Sequence, residues 1–331
     1  MSILSTELRA YYPETVSDAA ANGGRISFNR ITSGALQNVF PHVFRAERLA
    51  GSTKHRKVFF RVDNDADLTL YGPGIRFHGP TPGDDYVYFH IGSQRDTQAD
   101  ITGSERKYGS STLKTTVTAG ATTVVVTVED ASLSGIFADG DSIRISDKLT
   151  PTSVSGNEEE VIISGAPGVS GDEVTITLAT ALTNGYDAGA YVSSIYLPGA
   201  DLAATVDNWV ESSNAYDEAG YPVLPDWIGA AEQTWTITRV SDTQFSCVGD
   251  TVGALPTGST GTDYAPINPA NDKPFFTLEA AGWLGVLPSG YELVFQSHPP
   301  AIATWETRVV PAAAASMAGN GITAVLEGET V

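Results

Sequence analysis

The stretch DNDAD places three aspartates, Asp63, Asp65 and Asp67, at alternate positions between two apolar runs. An EF-hand calcium loop has oxygen ligands at its first, third and fifth positions, glycine at the sixth and glutamate at the twelfth. The three aspartates fit the first part of this pattern. Leu68 and Gly74 occupy the sixth and twelfth positions, so the sharp bend and the bidentate ligand are missing. We therefore expect a turn between antiparallel strands, in which Asp and Asn bond their own backbone.

The histidines and the short catalytic motifs offer no stronger candidate for chemistry. No two histidines lie three or four residues apart, the spacing that places two metal ligands on one face of a helix. The chain also lacks the HExxH, GxSxG and GxxxxGK[ST] patterns. The five histidines are His42, His55, His78, His90 and His298.

Acidic pairs and runs are the remaining candidates for acid–base catalysis. Asp84 and Asp85 are adjacent, and adjacent side chains of a strand or turn point in different directions, so they do not converge as a carboxylate pair. We interpret Glu158–Glu160 as a solvated acidic run. The sequence therefore predicts no catalytic, cofactor-binding or metal-binding residue, and a protein that is not an enzyme.

Tryptophans could form a stacking surface for carbohydrate. Trp235 alternates with Ile237 in a strand pattern, and Trp209 lies on an apolar helical stripe, so we expect both in the core. Trp227 in LPDWIG and Trp283 in AAGWLG lie in loop sequences. These two are the candidates for exposed binding anchors.

Charge is distributed very unevenly along the 331 residues. The net charge is −20; residues 1–150 carry 16 Lys and Arg against 17 Asp and Glu, and residues 151–331 carry 3 against 22. An anionic surface repels nucleic acid, so specific binding of DNA or RNA is not expected. Six basic residues form a strip that we expect to meet an acidic face of a neighbouring copy: Arg45, Arg48, Lys54, Arg56, Lys57 and Arg61.

The N-terminal residues and the cysteine count bear on the compartment. No basic segment leads into an apolar stretch at the start of the chain, and no run of about eighteen apolar residues occurs. We therefore expect neither a signal peptide nor membrane insertion. The single cysteine, Cys247, alternates with Phe245 and is predicted to be a buried strand residue, so no internal disulfide can form. Folding in a reducing cytoplasm fits these features.

Strand signals dominate the chain. Many short segments are β-branched, aromatic or alternating, such as YVYFHI (86–91) and SIRIS (142–146), and 33 Gly and 18 Pro lie between them. Helical patterns are limited to residues 8–12, a single turn at 136–140, and 201–213. The last of these carries an apolar stripe of Leu202, Val206, Trp209 and Val210. The sequence predicts an all-β protein with minor helix.

The middle of the chain, residues 110–197, is predicted to be an inserted small β-barrel or sandwich domain. Its short strands are separated by clusters of Gly, Asp and Ser about 8 to 12 residues apart, the spacing typical of such domains. The flanking segments, 1–109 and 198–331, would then form one discontinuous β-sandwich core.

Several segments resemble virion structural proteins of tailed bacteriophages, in particular Mu-like phages with long non-contractile tails. The two longest are QNVFPHVFRAERLAGSTKHRKVFFRVDNDADLTLYGPGIRF (37–77) and HPPAIATWETRVVPAAAASMAGNGITAVLEGETV (298–331). YFHIGSQRDTQADI (88–101) and TWTITRVSDTQFSCVGD (234–250) share the resemblance. The middle unit is similar to a β-domain often inserted in phage tail proteins. The resemblance implies no active site.

The resemblance implies a subunit of a phage tail, assembled in the host cytoplasm into the virion. We expect most specifically a tail-tube protein that self-associates into stacked rings and contacts other tail proteins. An anionic lumen would let DNA pass through without binding. The alternatives are a baseplate or tail-tip ring protein of the same tail, and a receptor- or glycan-binding adhesin that uses Trp227 and Trp283. Residues 308–321, rich in Ala and Pro, are interpreted either as an arm reaching a neighbouring copy or as a surface connector.

Overall fold

Antiparallel β-sheets make up most of the chain in a computed structural model that describes residues 2–330. Strands account for 42% and helices for 6% of the chain. This confirms the prediction of an all-β protein with minor helix. Within the described residues no sheet closes into a barrel.

In chain order, the strands fall into four groups. Five come from the front of the chain: β1 (Leu8–Thr15), β2 (Gly23–Arg30), β3 (Ser52–Val62), β4 (Tyr71–Phe77) and β5 (Tyr86–Ile91). Seven come from the middle: β6 (Ser110–Leu113), β7 (Thr123–Thr127), β8 (Ser142–Ser146), β9 (Glu158–Ile162), β10 (Gly168–Ser170), β11 (Glu173–Thr177) and β12 (Tyr191–Ser194). Ten follow: β13 (Thr205–Glu211), β14 (Leu224–Pro225), β15 (Gln233–Arg239), β16 (Gln244–Gly249), β17 (Gly253–Ala254), β18 (Gly258–Ser259), β19 (Ile267–Asn268), β20 (Lys273–Pro274), β21 (Phe276–Thr277) and β22 (Glu292–His298). The last two are β23 (Ala301–Val310) and β24 (Ala324–Glu329).

Helical structure is short and lies mostly elsewhere than predicted. One α-helix, α1, spans Arg45–Ala50, and 3-10 turns span Ser5–Glu7, Gln98–Asp100, Ala131–Ile136 and Ala280–Gly282. The turn expected at 136–140 thus lies slightly earlier, and residues 8–12 belong to β1, so the helix predicted there is wrong. No helix within residues 2–330 has the length and apolar character needed to cross a membrane.

The helix predicted at 201–213 is also wrong, because this segment contains β13. The register with β22 shifts between Asp207 and Val210, and Asn208 adopts a φ of +53°. Such a bulge adds one residue to the strand and interrupts its two-residue alternation. The apolar residues on either side therefore acquire a spacing that imitates a helical stripe.

The front strands and the last strands together form a central sheet with the order β2-β1-β3-β23-β5. β3 and β23 pair in unbroken register from Ser52 opposite Val310 to Arg61 opposite Ala301. β24 pairs with β4 beside this sheet. One face of the sheet packs into an apolar core that includes Val58, Phe60, Val62, Val87, Phe89 and Ile302.

The middle strands form a separate seven-stranded sheet with the order β10-β11-β7-β6-β12-β8-β9. Its apolar cluster comes almost entirely from the same part of the chain, with Tyr86 of β5 as the buried exception. Tyr88 and Val309 pack against the cluster from the central sheet. The predicted limits of the inserted domain, residues 110–197, stay a prediction, and we propose below how to test them.

The strands β13, β22, β15, β16 and β17 form a third sheet, with β18 attached to β16. An aromatic-rich core supports this sheet and includes Trp235, Phe245, Phe276, Trp283 and Phe295. Within residues 198–331, β13–β22 thus pair among themselves, with β14-β21 and β19-β20 as separate two-stranded sheets, whereas β23 and β24 pair with front strands.

Candidate functional site

The DNDAD loop connects β3 to β4 through a turn closed by a hydrogen bond from Asp67 N to Asn64 O, 3.2 Å long. Asp63, the first aspartate of the loop, is buried: it is 6% exposed. Its Oδ2 accepts hydrogen bonds from the Tyr11 hydroxyl and, at 2.9 Å, from Arg30 Nη2. A buried carboxylate needs such partners because an isolated buried charge is very costly.

The other two aspartates of the loop point to different partners. Asp65 forms an ion pair with Lys273 at 2.5 Å. Asp67 accepts a hydrogen bond from Trp227 N at 3.0 Å. The three carboxylates therefore diverge. Over residues 2–330, no group of three or more His, Cys, Asp or Glu side chains is placed to hold a metal ion.

Trp227 and Trp283 are buried, so their predicted role as exposed anchors is wrong. They are 6% and 8% exposed. Trp227 belongs to the core of the central sheet. Trp283 packs edge-on against Tyr216, with ring centroids 4.9 Å apart. Both lie outside long strands, but their loops fold back over the sheets and bring the indoles inward.

The predicted basic strip does not form a surface patch, because half of it is buried. Arg56, Lys57 and Arg61 are 6%, 1% and 1% exposed. They form ion pairs within the chain, with Asp18 at 2.6 Å, Asp96 at 2.6 Å and Asp63 at 3.3 Å, respectively. Lys54 is also paired, with Glu47 at 2.8 Å. The strip therefore supports the fold, and Arg45 alone of the six is exposed.

The acidic pair in the loop before β5 binds the segment between β23 and β24. Asp84 accepts a hydrogen bond from Ala315 N at 2.7 Å, and Asp85 accepts one from the Asn320 side chain. The two carboxylates thus have separate structural partners. Residues 311–320 are held on their own chain at these points, and an additional contact with a neighbouring copy stays a proposal.

The Glu158–Glu160 run is not simply solvated. Glu158 is partly buried and pairs with Lys148 at 2.5 Å and with Arg144 at 3.7 Å. Arg144 also pairs with Glu160, at 2.9 Å. These pairs lie across the β8–β9 hairpin, so the acidic residues help to hold its register.

Cys247 is fully buried in β16, which confirms the prediction made from its alternation with Phe245. Burial raises the pKa of its thiol to about 12. The thiolate is the nucleophilic form of cysteine, so this side chain is unreactive at neutral pH.

The structure brings together two histidines that the sequence separates. His55 of β3 lies opposite Thr307 of β23, and His90 of β5 lies opposite Trp305, two residues earlier on the same strand. All four therefore share one face of the central sheet. The two histidines border a cleft of about 280 Å³, whose other lining residues are Tyr88, Ile101, Thr102, Gly103, Glu105 and Lys107. Sequence spacing could not reveal this pair, because β23 inserts between their strands.

The charges of this cleft are set by burial and by local hydrogen bonds. Burial lowers the pKa of both His55 and His90, so both imidazoles are neutral at pH 7. His55 Nδ1 lies 2.9 Å from Thr307 Oγ1. Although burial opposes it, hydrogen bonds from Thr102 hold the pKa of Glu105 at about 2. The cleft offers hydrogen-bonding groups to a small polar molecule. The carboxylate of Glu105 already accepts hydrogen bonds from Thr102 of the same loop.

A second charged cluster joins the central sheet to the third sheet. His298 Nδ1 lies 2.6 Å from Glu232 Oε2, and its Nε2 lies 3.0 Å from Asp207 Oδ1. Arg95, in the loop after β5, donates to Glu232 Oε1 at 2.6 Å. The hydrogen bond with Glu232 is the main reason that the pKa of His298 rises to about 9. An imidazolium between two carboxylates serves as a structural cation here.

Comparison with known proteins adds little to this geometry. No protein-family model matches the chain, and no curated protein matches it. Among solved structures, the chain aligns with a phage phi92 endosialidase at 13% identity and a TM-score of 0.16. The alignment covers 68% of this chain and 35% of that one, so the chain spans about a third of the length of the endosialidase. A TM-score of this size indicates no shared fold.

Proposed function

We propose that the chain is a structural subunit of a bacteriophage tail, most specifically a tail-tube protein that forms stacked rings around a DNA channel. One observation carries the proposal: three of the four segments that resemble phage virion proteins pair with one another in the central sheet. β3 belongs to the segment 37–77 and β23 to the segment 298–331, and they pair over ten residues. β5, which overlaps the third segment, pairs with the other side of β23. The fourth segment, 234–250, contributes to β15 and β16 of the third sheet, so the resembling segments extend beyond the central sheet.

The distribution of charge supports passage of DNA without binding. The buried members of the basic strip are neutralised by carboxylates of the same chain. The net charge of −20 is therefore carried largely by surface carboxylates. A channel lined by such a surface repels the phosphate backbone over roughly 8 Å at physiological salt.

The β8–β9 hairpin offers a contact for neighbouring subunits. A turn at its tip is closed by a hydrogen bond from Ser153 N to Thr150 O, 3.0 Å long. The residues on either side of this turn, Leu149 and Val154, are 83% and 103% exposed. Both apolar side chains therefore project into solvent at the tip of the hairpin. Burial of such a pair against a second copy would favour assembly.

Electron microscopy and sedimentation velocity of the purified full chain test the proposal. A tube protein should form rings that stack into open-ended filaments as concentration rises. Closed rings that do not stack would instead favour the baseplate or tail-tip alternative, which also predicts far fewer copies in each virion. A monomer at every concentration, in both low and physiological salt, would contradict both assignments.

A further inference from the structure

Lys57 and Asp96 form a buried contact beneath Trp305. Lys57 lies on β3, and Asp96 lies in the loop that follows β5. The Lys57 side chain is 0% exposed, and its Nζ lies 2.6 Å from Asp96 Oδ1. The carboxyl carbon of Asp96 is only one covalent bond beyond that oxygen.

Lys57 Nζ makes two hydrogen bonds to backbone carbonyl groups besides its contact with Asp96. Nζ donates to Gly24 O at 2.7 Å and to Asp96 O at 2.9 Å. A neutral amine has two N–H groups, so two such bonds leave its lone pair in the remaining direction. Asp96 Oδ1 is buried and in contact with Nζ, although the angle of this contact departs from ordinary hydrogen-bond geometry. The amine and the carboxyl group are thus close together without a well-formed hydrogen bond between Nζ and Oδ1.

The surroundings favour attack by an amine on this carboxyl group. Trp305 Nε1 donates to Asp96 Oδ2 at 2.9 Å, which stabilises negative charge developing on that oxygen. The Phe59 and Trp305 rings lie 5.0 Å and 5.8 Å from Nζ and exclude water. Burial lowers the pKa of Lys57, although the nearby Asp96, Asp100 and Glu14 charges oppose this. Desolvation of this kind is a general way to make a lysine nucleophilic.

We propose that Lys57 and Asp96 form an intramolecular isopeptide bond. A proton moves from Nζ to the carboxylate, which gives a neutral amine and a carboxylic acid. The Nζ lone pair then attacks Cγ, and the bond from Cγ to one oxygen breaks. That oxygen leaves as water, taking a second proton from Nζ, so the reaction needs no oxidant, reductant or further reactant. The product ties β3 covalently to the loop after β5.

The chain contains a matched pair that should stay uncoupled. Lys273 Nζ lies 2.5 Å from Asp65 Oδ1, but the two side chains are 37% and 71% exposed. That site is open to water, so the desolvation that favours reaction at Lys57 is missing there. The distance between Nζ and the carboxylate oxygen is therefore similar in the Lys57–Asp96 and Lys273–Asp65 pairs, whereas their burial differs.

Mass spectrometry of the purified full chain tests the proposal. The intact mass should be lower than the sequence mass by one water molecule. Trypsin cleaves after Arg56, Arg61, Arg95 and Arg106, so residues 57–61 and 96–106 should appear as one branched peptide, while residues around Lys273 and Asp65 appear unlinked. The branched peptide also distinguishes the bond from dehydration at the Asp139–Gly140 pair. Lys57→Arg, which keeps the charge, should restore the full intact mass.

Two results would overturn the proposal. One is a wild-type intact mass equal to that of the sequence. The other is separate recovery of the two peptides from wild-type protein, which would show that Lys57 and Asp96 form only a buried ion pair. Both are read from the wild-type protein, so the test stands even where Lys57→Arg does not fold.

Discussion

Glu306 of β23 lies directly opposite Arg56 of β3, yet Arg56 forms its ion pair with Asp18, at 2.6 Å. Glu306 is 3% exposed, and burial raises the pKa of its carboxyl to about 7. Its other cross-strand neighbour is Phe89 of β5. This carboxyl group is therefore more stable in its protonated form inside the fold than in the unfolded chain.

Glu306→Gln should remove a pH dependence of stability. In the wild type this group contributes no penalty below its unfolded pKa of 4.5, because both states are protonated. As pH rises from 4.5 to 7, the unfolded state ionises before the folded state, and the free energy of unfolding falls by about 3 kcal/mol in total before it levels off above pH 7. The variant should match the wild type near pH 4 and exceed it at pH 8, measured by urea denaturation. The exposed Glu329→Gln is the control, and parallel pH profiles for Glu306→Gln and wild type would contradict the assignment.

His298→Gln should lower stability at neutral pH and have little effect in alkaline solution. The pKa of His298 is raised from 6.5 to about 9, so its contribution is fully present below 6.5 and is lost as pH rises through 9. We expect a loss of about 1–2 kcal/mol at pH 6, because Glu232 keeps Arg95 as a partner. Denaturation at pH 6, 8 and 10 measures the convergence. If the two free energies of unfolding differ by the same amount at all three pH values, His298 contributes through packing and its charge contributes nothing.

The strands were predictable where β-branched and aromatic residues are concentrated. The predicted segments 86–91 and 142–146 coincide with β5 and β8, because each is rich in such residues. β13 failed because its bulge at Asn208 breaks the two-residue period. In residues 8–12, the run of aromatic and apolar residues is compatible with both a helical and a strand period. These residues form a strand because they pair with β3.

The charged residues were less predictable than the strands. A lysine or arginine in a strand sequence suggests a solvent-facing position, but Lys57 and Arg61 are buried because their partners come from distant parts of the chain. Asp96 lies in the loop after β5, and the carbonyl groups that bind Arg61 lie beyond residue 226. The His55–His90 cleft has the same origin, since β23 brings the two histidines together. Single-sequence patterns contain no signal for such long-range pairing.

Arg61→Met should destabilise the fold strongly. Arg61 Nη2 donates to Trp227 O at 2.5 Å and to Ile228 O at 2.7 Å, so it fastens that loop to β3. The change leaves these carbonyl groups without their hydrogen-bond donor. It also removes the ion pair between Arg61 and the buried Asp63. Breaking such a buried network costs about 3–5 kcal/mol. Chemical denaturation measures this loss, and the exposed Arg45→Met should stay within about 0.5 kcal/mol of wild type. An equally small effect of Arg61→Met would contradict the role given to its guanidinium.

Deletion of residues 111–192 should leave the rest of the chain folded. Ser110 and Ser193 are cross-strand partners, so a short Gly/Ser linker can join them. All five tryptophans lie outside the deleted segment, so their fluorescence reports on the remaining sheets. We expect a cooperative transition at a lower midpoint, because Tyr86 loses its packing partners. Loss of the transition would show that the middle sheet is required for the central sheet, and would refute an independent inserted domain.

Leu149→Ser combined with Val154→Ser should weaken assembly without weakening the fold. Both side chains are almost fully exposed at the tip of the β8–β9 hairpin, so their removal costs the monomer little, within about 0.5 kcal/mol. If the tip contacts a second copy, the lost apolar contact should shift assembly to higher protein concentration. Sedimentation velocity over a concentration series measures this shift, and Val240→Ser, at a site 56% exposed on another sheet, is the matched control. An unchanged concentration dependence in the double variant would place the subunit contact elsewhere, since no other apolar pair in that hairpin loop projects so far into solvent.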